Sequence, residues 1–219
     1  VMDLSEGLRL SLDSTMGAIR ITTDTGEVVA WMPAPVLTAE NRGAAGKWTV
    51  SSTARTATVA AHFPADFLLD PSTEYPVVLD PSVFLETKSF GWVMPDGAKL
   101  GGSALVLRED GVALGAGYQR FATDALPINA DLLSVKWTQE VAAYNGPGSA
   151  ELVSMHMDPV LDPGVAVFND ILYSASLATI EGYGVWTADL GSVGIDALLD
   201  SAPYGFFSLG LRPGDEDIY

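Results

Sequence analysis

The stretch FLLDPSTEYPVVLDPSV, residues 67–83, places two Asp-Pro steps around one short apolar run. Each proline fixes its own φ, removes a main-chain donor and pushes the preceding residue into extended conformations. The sequence therefore excludes helix here and predicts a strand over residues 75–79, lying at a sheet edge or beginning at Pro76. Asp70 and Asp80 can each accept a hydrogen bond from the main chain two residues on, which predicts a turn at both ends of this strand.

The composition describes a foldable, strongly acidic chain. Its 219 residues are 48% apolar and 18% charged, enough for one large or two small domains. Eleven Lys and Arg against 28 Asp and Glu give a formal net charge of −17, which argues against nucleic acid and anionic membranes as partners. No apolar run has the roughly 18 residues of a membrane-spanning helix, and no leader-like segment opens the chain.

Two further features concern the context of the chain. It begins with Val1, which suggests a piece excised from a longer polypeptide whose targeting signal lies upstream. It contains no cysteine, so disulfides and thiolate metal sites are excluded.

The first 83 residues predict a meander of about six short strands, since Gly, Pro and β-branched or aromatic residues favour a turn-rich all-β chain. Apolar and polar residues alternate over residues 7–13, which puts Leu8, Leu10 and Leu12 on one face of a predicted strand. Two antiparallel strand pairs are predicted, residues 18–22 with 28–31 and residues 47–51 with 57–63. A loop of small residues is predicted between the two pairs, over residues 41–46.

The remaining residues predict further strands, separated by turns and followed by one short helix. Pro95, Asp96 and Gly97 form a turn signal. The helix is predicted over residues 192–200, with Ser192 as its N-cap. The predicted strands are residues 105–107, 118–121, 130–137, 185–190 and 204–209, with a Leu-Pro loop at 126–127.

The stretch around the Asp-Pro steps resembles a segment of large secreted bacterial RHS/YD-repeat and wall-associated proteins. In those proteins it ends an N-terminal β-rich region and leads into a DNRLRE-type β-sandwich, which is related to carbohydrate-binding modules. The order of the Arg120-Phe121 strand, the Leu126-Pro127 loop and the last aromatic strands is also similar to that family. The matching positions in the segment are Leu69, Asp70, Pro71, Tyr75, Pro76, Val77, Asp80 and Pro81.

The resemblance implies an all-β fold in two parts. Residues 1–83 would be a strand-rich N-terminal domain, and residues 84–219 a jelly-roll-like antiparallel β-sandwich with one short helix. The family's sandwich usually continues through another strand, so this sandwich is expected to lack its closing strand and to expose an unpaired edge. Such an edge invites strand addition from another segment or subunit.

Motifs for catalysis or metal binding are weak. His62 and His156 lie in no metal-ligand spacing, no Gly-x-Ser-x-Gly elbow is present, and the glycine-rich segments lack the signatures of phosphate-binding loops. The weak calcium candidates are Asp215 and Asp217 in the acidic tail, for which a solvated tail is the competing interpretation. The sequence therefore predicts no catalytic residue and no cofactor; a structural calcium ion stays an open alternative that rests on the family analogy alone.

Aromatic residues of the second half are candidates for stacking on sugar rings. Tyr144 lies in an Asn-Gly and Pro-Gly turn and is expected at the surface. Trp137 and Tyr118 complete the candidate carbohydrate-binding set, although most aromatic residues of a sandwich belong to its core.

Two functions remain open at this point. The first is a non-catalytic structural or assembly module of a large secreted bacterial cell-surface or fibre protein, completed by strand donation from the parent chain or a neighbouring copy. The alternative is a carbohydrate-binding module that docks the parent protein on a polysaccharide. Sandwich folds host both, so the fold alone does not choose between them.

Overall fold

The structure is a computed structural model that describes residues 2–3, 6–53, 56–80, 82–104, 107–109, 112–124, 126, 132–141, 149–182 and 184–214. The chain forms two compact units. Unit 1 is Val1–Glu86 with Asp124–Ile128, and unit 2 is Thr87–Thr123 with Asn129–Tyr219. The strands that the structure describes pair antiparallel throughout, which confirms the predicted all-β fold.

Unit 1 contains three small sheets, with strand orders β10-β4-β3-β2, β1-β8-β7 and β6-β5-β9 among the described residues. Their elements are β1 (Met2–Asp3), β2 (Leu8–Asp13), β3 (Ala18–Thr23), β4 (Val28–Met32), β5 (Val36–Thr38), β6 (Gly43–Ala45), β7 (Lys47–Ser52), β8 (Thr56–His62), helix α1 (Ala65–Leu69), β9 (Val78–Asp80) and β10 (Phe84–Leu85). The predicted pairs β3–β4 and β7–β8 are confirmed, whereas the predicted loop at 41–46 is wrong, because β6 pairs there with β5.

The main core of unit 1 lies between the four-stranded sheet and the β7–β8 pair. Leu8 and Leu10 are buried on β2 as their alternation predicts, while Leu12 is 45% exposed where the strand runs past the core. Trp48 crosses from β7 into this core, and its indole Nε1 donates to the main-chain oxygen of Pro33 at 2.6 Å. One face of the four-stranded sheet is therefore packed, and Arg9, Ser11 and Arg20 on its other face are exposed to solvent.

The Asp-Pro stretch folds around a second, smaller core that holds Leu37 and Phe67. The exclusion of helix is wrong for its first three residues, since α1 runs to Leu69 and ends where Asp70, extended before Pro71, cannot continue it. The predicted strand is shorter and later than expected, Val78–Asp80. The turn at Asp70 is confirmed, because its carboxylate accepts the Ser72 main-chain N–H at 2.9 Å.

Arg42 ties this stretch to the rest of its small core. Its guanidinium donates to Asp70 at 2.5 Å and lies 4.9 Å from the centre of the Phe67 ring. The pKa of Asp70 is lowered from 3.8 to about 2 by the Ser72 main-chain N–H first, then by the Arg42 guanidinium and the Ser72 hydroxyl. The folded state therefore favours the ionised carboxylate.

This lowered pKa predicts a defined acid sensitivity. The ionised Asp70 contributes stability above about pH 4, and that contribution is lost as the pH falls through its folded pKa of about 2. Asp70→Asn should therefore flatten the fall of the melting temperature between pH 4 and 2, followed by circular dichroism. Asp66→Asn, which removes an exposed carboxylate from α1, is the control and should keep the wild-type slope. Equal slopes for wild type and Asp70→Asn would contradict the assignment of this acid sensitivity to Asp70.

Unit 2 is built on a large sheet with the strand order β12-β11-β14-β19-β16-β17, with β13 pairing β14 off this path, and on a separate ribbon β15-β18. The elements are β11 (Thr87–Val93), β12 (Lys99–Gly101), β13 (Leu107–Glu109), β14 (Val112–Ala122), β15 (Lys136–Val141), β16 (Ala150–Met155), helix α2 (Gly164–Tyr173), β17 (Ser176–Ile180), β18 (Gly184–Asp189), helix α3 (Gly191–Ser201), a 3-10 turn Ala202–Tyr204 and β19 (Phe206–Pro213).

The structure confirms one predicted turn of unit 2 and changes the bounds or caps of other predicted elements. The Pro95 turn is confirmed by the hydrogen bond from the Gly97 N–H to the Met94 oxygen, 2.9 Å. The strand predicted over 130–137 begins only at Lys136, and residues 130–131 lie outside the described residues. The predicted helix over 192–200 is α3, but Leu190 rather than Ser192 is its N-cap. The structure adds α1 and α2 to the one helix expected.

Helix α2 packs on one face of the large sheet, where Val167, Phe168 and Ile171 meet side chains of β11, β14 and β16. Gly210 on β19 allows the close approach, because a Cβ there would lie 2.8 Å from Ile171. Asp170 fixes the helix to the end of β16 by accepting the main-chain N–H groups of His156 and Met157 at 2.8 and 2.9 Å. Helix α2 was not predicted from the sequence, since it lacks a side-chain N-cap.

Candidate functional site

The opposite face of the large sheet is covered by the β15–β18 ribbon and by α3. Trp137 on β15 is buried, and its indole Nε1 donates to Gln119 Oε1 on β14 at 2.8 Å. Gln119 Nε2 in turn donates to Gln139 Oε1, two residues along β15, at 2.6 Å. Because buried side-chain amides must be satisfied, this relay holds β15 directly over β14.

The ribbon covers only part of that face. β15 lies over β14, whereas β18 contacts β17, the strand at the far end of the sheet, and α3 contacts β17 and β19. The second layer therefore extends from β14 toward β17. The two strands on the other side of β14, β11 and β12, lie beyond the ribbon.

Apolar side chains of β11 and β12 are exposed where this layer ends. Phe90 is paired with Gln119, and Trp92 with Leu100, so all four project on the ribbon side of the sheet. Phe90 is 46% and Leu100 is 45% exposed, and Trp92 is half-buried. We call Phe90, Trp92 and Leu100 the acceptor surface. Val93, next to Trp92, points the other way and is fully buried under α2.

Because β18 lies on the β17 side of β15, the other edge of β15 faces the side of the sheet that holds β11 and β12. Among the described residues β15 has one partner strand, β18, so its second edge has no strand against it in that part of the chain. Gln139 Nε2 donates to the main-chain oxygen of Glu140 at 3.0 Å, which satisfies one group of β15 from its own side chain. An unpaired edge above an apolar surface is the arrangement that accepts an added strand, with main-chain hydrogen bonds for affinity and apolar contacts beneath.

Two of the three predicted carbohydrate-binding residues, Trp137 and Tyr118, are buried in this structure. Trp137 and Tyr118 are 4% and 7% exposed, so neither ring face is open to a sugar, and the core interpretation holds for both. Burial also raises the pKa of the Tyr118 hydroxyl. Tyr144 lies outside the described residues, as do the calcium candidates Asp215 and Asp217.

Titratable side chains in unit 2 make hydrogen bonds and ion pairs that link its strands, helices and loops. Both carboxylate oxygens of the buried Asp158 accept the Arg120 Nε–H, at 3.1 and 3.2 Å, and its Oδ1 also accepts the Val160 main-chain N–H. His156 lies 3.3 Å from Asp170 and is largely exposed. Within the described ranges, no three His, Asp or Glu side chains group closely enough to hold a metal ion.

The sequence carried part of the signal for the acceptor surface. Residues 89–94 are visibly apolar and aromatic, and the alternation separates Phe90 and Trp92 from Gly91 and Val93. Both sets are apolar, however, so alternation alone does not say which face a second layer covers. A strand with an apolar residue on each face is normally buried on both, and the exposure of Phe90 appears only once the ribbon has been placed.

Comparisons of the chain with protein-family models, with curated proteins and with solved structures find no match. The resemblance to the RHS and DNRLRE families therefore stays a prediction. Among the helices that the structure describes, none has the length and apolar character to cross a membrane.

Proposed function

We propose that this chain is a non-catalytic assembly module of a large secreted bacterial surface or fibre protein, and that unit 2 accepts a β-strand from a neighbouring copy. The observation that carries the proposal is the acceptor surface, in which Phe90 and Leu100 are exposed and Trp92 is half-buried, on the side of the sheet that the outer edge of β15 faces. The extracellular location and the parent protein rest on the family resemblance.

The chemistry of the surface favours a strand as the occupant. β15 is six residues long, which matches the usual length of a strand in a globular protein. A strand added to it would bury apolar side chains at alternate positions against Phe90, Trp92 and Leu100. Burial contributes about 25 cal/mol for each Å² of apolar surface removed from water, in addition to the main-chain hydrogen bonds.

A charge on the acceptor surface should therefore block assembly. We expect the wild-type protein to self-associate as its concentration rises, measured by sedimentation velocity, and Leu100→Lys to weaken that association about ten-fold or more, because strand addition would then bury an unpaired ammonium group. Leu12→Lys is the matched control, since Leu12 is also a leucine in a strand and is also 45% exposed, but belongs to unit 1.

Two results would count against strand acceptance. A wild-type protein that stays monomeric up to about 1 mM would leave association weaker than about 4 kcal/mol and reject assembly between copies. Equal weakening by Leu12→Lys and Leu100→Lys would show that added charge, rather than the acceptor surface, controls association.

A further inference from the structure

The outer face of the four-stranded sheet in unit 1 carries a stacked pair of aromatic rings. Trp31 on β4 and Phe84 on β10 are cross-strand partners, with ring centres 4.4 Å apart and planes 13° from parallel. Trp31 is half-buried and Phe84 is 46% exposed. Among the described residues β10 is the edge strand of this sheet, so within that part of the chain the Phe84 ring has the Trp31 ring on one side and no further strand on the other.

Polar side chains continue the same row across the sheet. Arg20 on β3 is the partner of Trp31, and Ser11 on β2 is the partner of Arg20, so all of them project on the outer face. With strands about 4.8 Å apart, Arg20 lies about 10 Å from Phe84. We call Phe84, Trp31, Arg20 and Ser11 the outer row.

Arg20 is held in place by Asp13. Its Nη2 donates to Asp13 Oδ2 at 2.5 Å, and Asp13 Oδ1 accepts the main-chain N–H groups of Thr15 and Met16 at 2.9 and 3.2 Å. Those two N–H groups and Arg20 keep the pKa of Asp13 below its ordinary value, so the carboxylate stays charged. The Arg20 side chain is still 47% exposed, which leaves other guanidinium N–H groups for an incoming ligand.

We propose that the outer row binds a neutral glycan chain, with a sugar ring on the Phe84–Trp31 pair and hydroxyl groups of the next sugars on Arg20 and Ser11. Aromatic faces suit the C–H surface of a sugar ring, while guanidinium and hydroxyl groups suit its oxygens. The row spans the sheet, so it fits a chain of sugars rather than a single one. The net charge of −17 disfavours polyanionic glycans.

Affinity electrophoresis of the whole protein tests this site, in gels containing a neutral β-glucan, xylan or galactomannan, with polygalacturonate as the polyanion. We expect at least one neutral polysaccharide to retard the wild type, and Phe84→Leu, which keeps an apolar side chain but removes the flat ring, to weaken the retardation about ten-fold. Tyr173→Leu is the control, because Tyr173 is an aromatic residue that is 79% exposed at the end of α2 in unit 2, outside the acceptor surface; it should bind as wild type.

A second variant, whose fold is checked by circular dichroism, makes the result decisive. Arg20→Gln should weaken binding several-fold with an unchanged circular dichroism spectrum, and it tests the row even if Phe84→Leu unfolds. No retardation by any neutral polysaccharide, retardation by polygalacturonate alone, or equal loss in Tyr173→Leu would each overturn the proposal.

Discussion

Replacing Arg212 with methionine should lower the free energy of unfolding by about 3 kcal/mol. Arg212 on β19 is 14% exposed and donates through Nε and Nη2 to Glu151 Oε2, at 2.8 and 2.6 Å. Its Nη1 donates to the main-chain oxygens of Leu172 and Ser174, at the C-terminal end of α2. Removing the guanidinium leaves Glu151 without its partner in a site that is only 20% exposed, and it frees that end of the helix.

Urea unfolding of matched variants measures this effect. Arg9→Met is the control, because it breaks a similar Arg–carboxylate contact, Arg9 to Asp24 at 2.7 Å, whose side chains are 71% and 59% exposed. Solvent screening should limit that cost to about 0.5 kcal/mol. The double change Arg212→Met with Glu151→Met should cost less than Arg212→Met alone, since it removes the stranded carboxylate. Similar costs for Arg9→Met and Arg212→Met would contradict the importance of burial.

Gly164→Ala should destabilise the protein by about 2 kcal/mol, although helix propensity alone predicts a gain of about 1 kcal/mol. Gly164 begins α2, and a Cβ there would lie 2.0 Å from the main-chain oxygen of Gly97. Gly97 itself has a φ of +87° and belongs to the turn after β11, so the obstructing atom is main chain that cannot rotate away. The helix and the turn would have to separate.

The sign of the change in urea midpoint decides this prediction. Gly101→Ala on β12 is the control, since no atom lies within 4 Å of its Cβ position and its φ is not positive. It should stay within about 0.5 kcal/mol of wild type. A stabilised Gly164→Ala protein would show that propensity outweighs the contact and that the Gly97 turn is free to move.

Local patterns predicted the hairpins because their causes are local. A four-residue connection containing Gly26 joins β3 to β4, and Gly26 has the positive φ that such turns need. The end of α1 at Leu69 also follows from Asp70-Pro71, although the presence of that helix was missed. Its single buried side chain, Phe67, is held by tertiary contacts with Leu37 and Arg42 rather than by a periodic apolar face.

Neither proposed site could be read completely from the sequence. Residues 89–94 are apolar and aromatic in the sequence, which does not show which of them stay exposed, and the outer row lay in the half of the chain where no sugar-binding surface was expected. Trp31 and Phe84 are more than 50 positions apart in the sequence, and their stacking depends on the pairing of β10 with β4. The pairing of strands that are distant in sequence is decided by the tertiary structure, because either edge of a small sheet can accept a strand.

By itself the sequence determined that this protein is all-β, where its main hairpins turn and where proline ends its elements, because φ restrictions and period-two alternation act over a few residues. The tertiary structure decided which apolar residues are buried. Tyr118 and Phe90 are both aromatic and lie on paired strands, yet one is buried on the α2 face and the other is exposed beside β15. Alternation separates two faces, but only the packing of a second layer decides which of them stays in water.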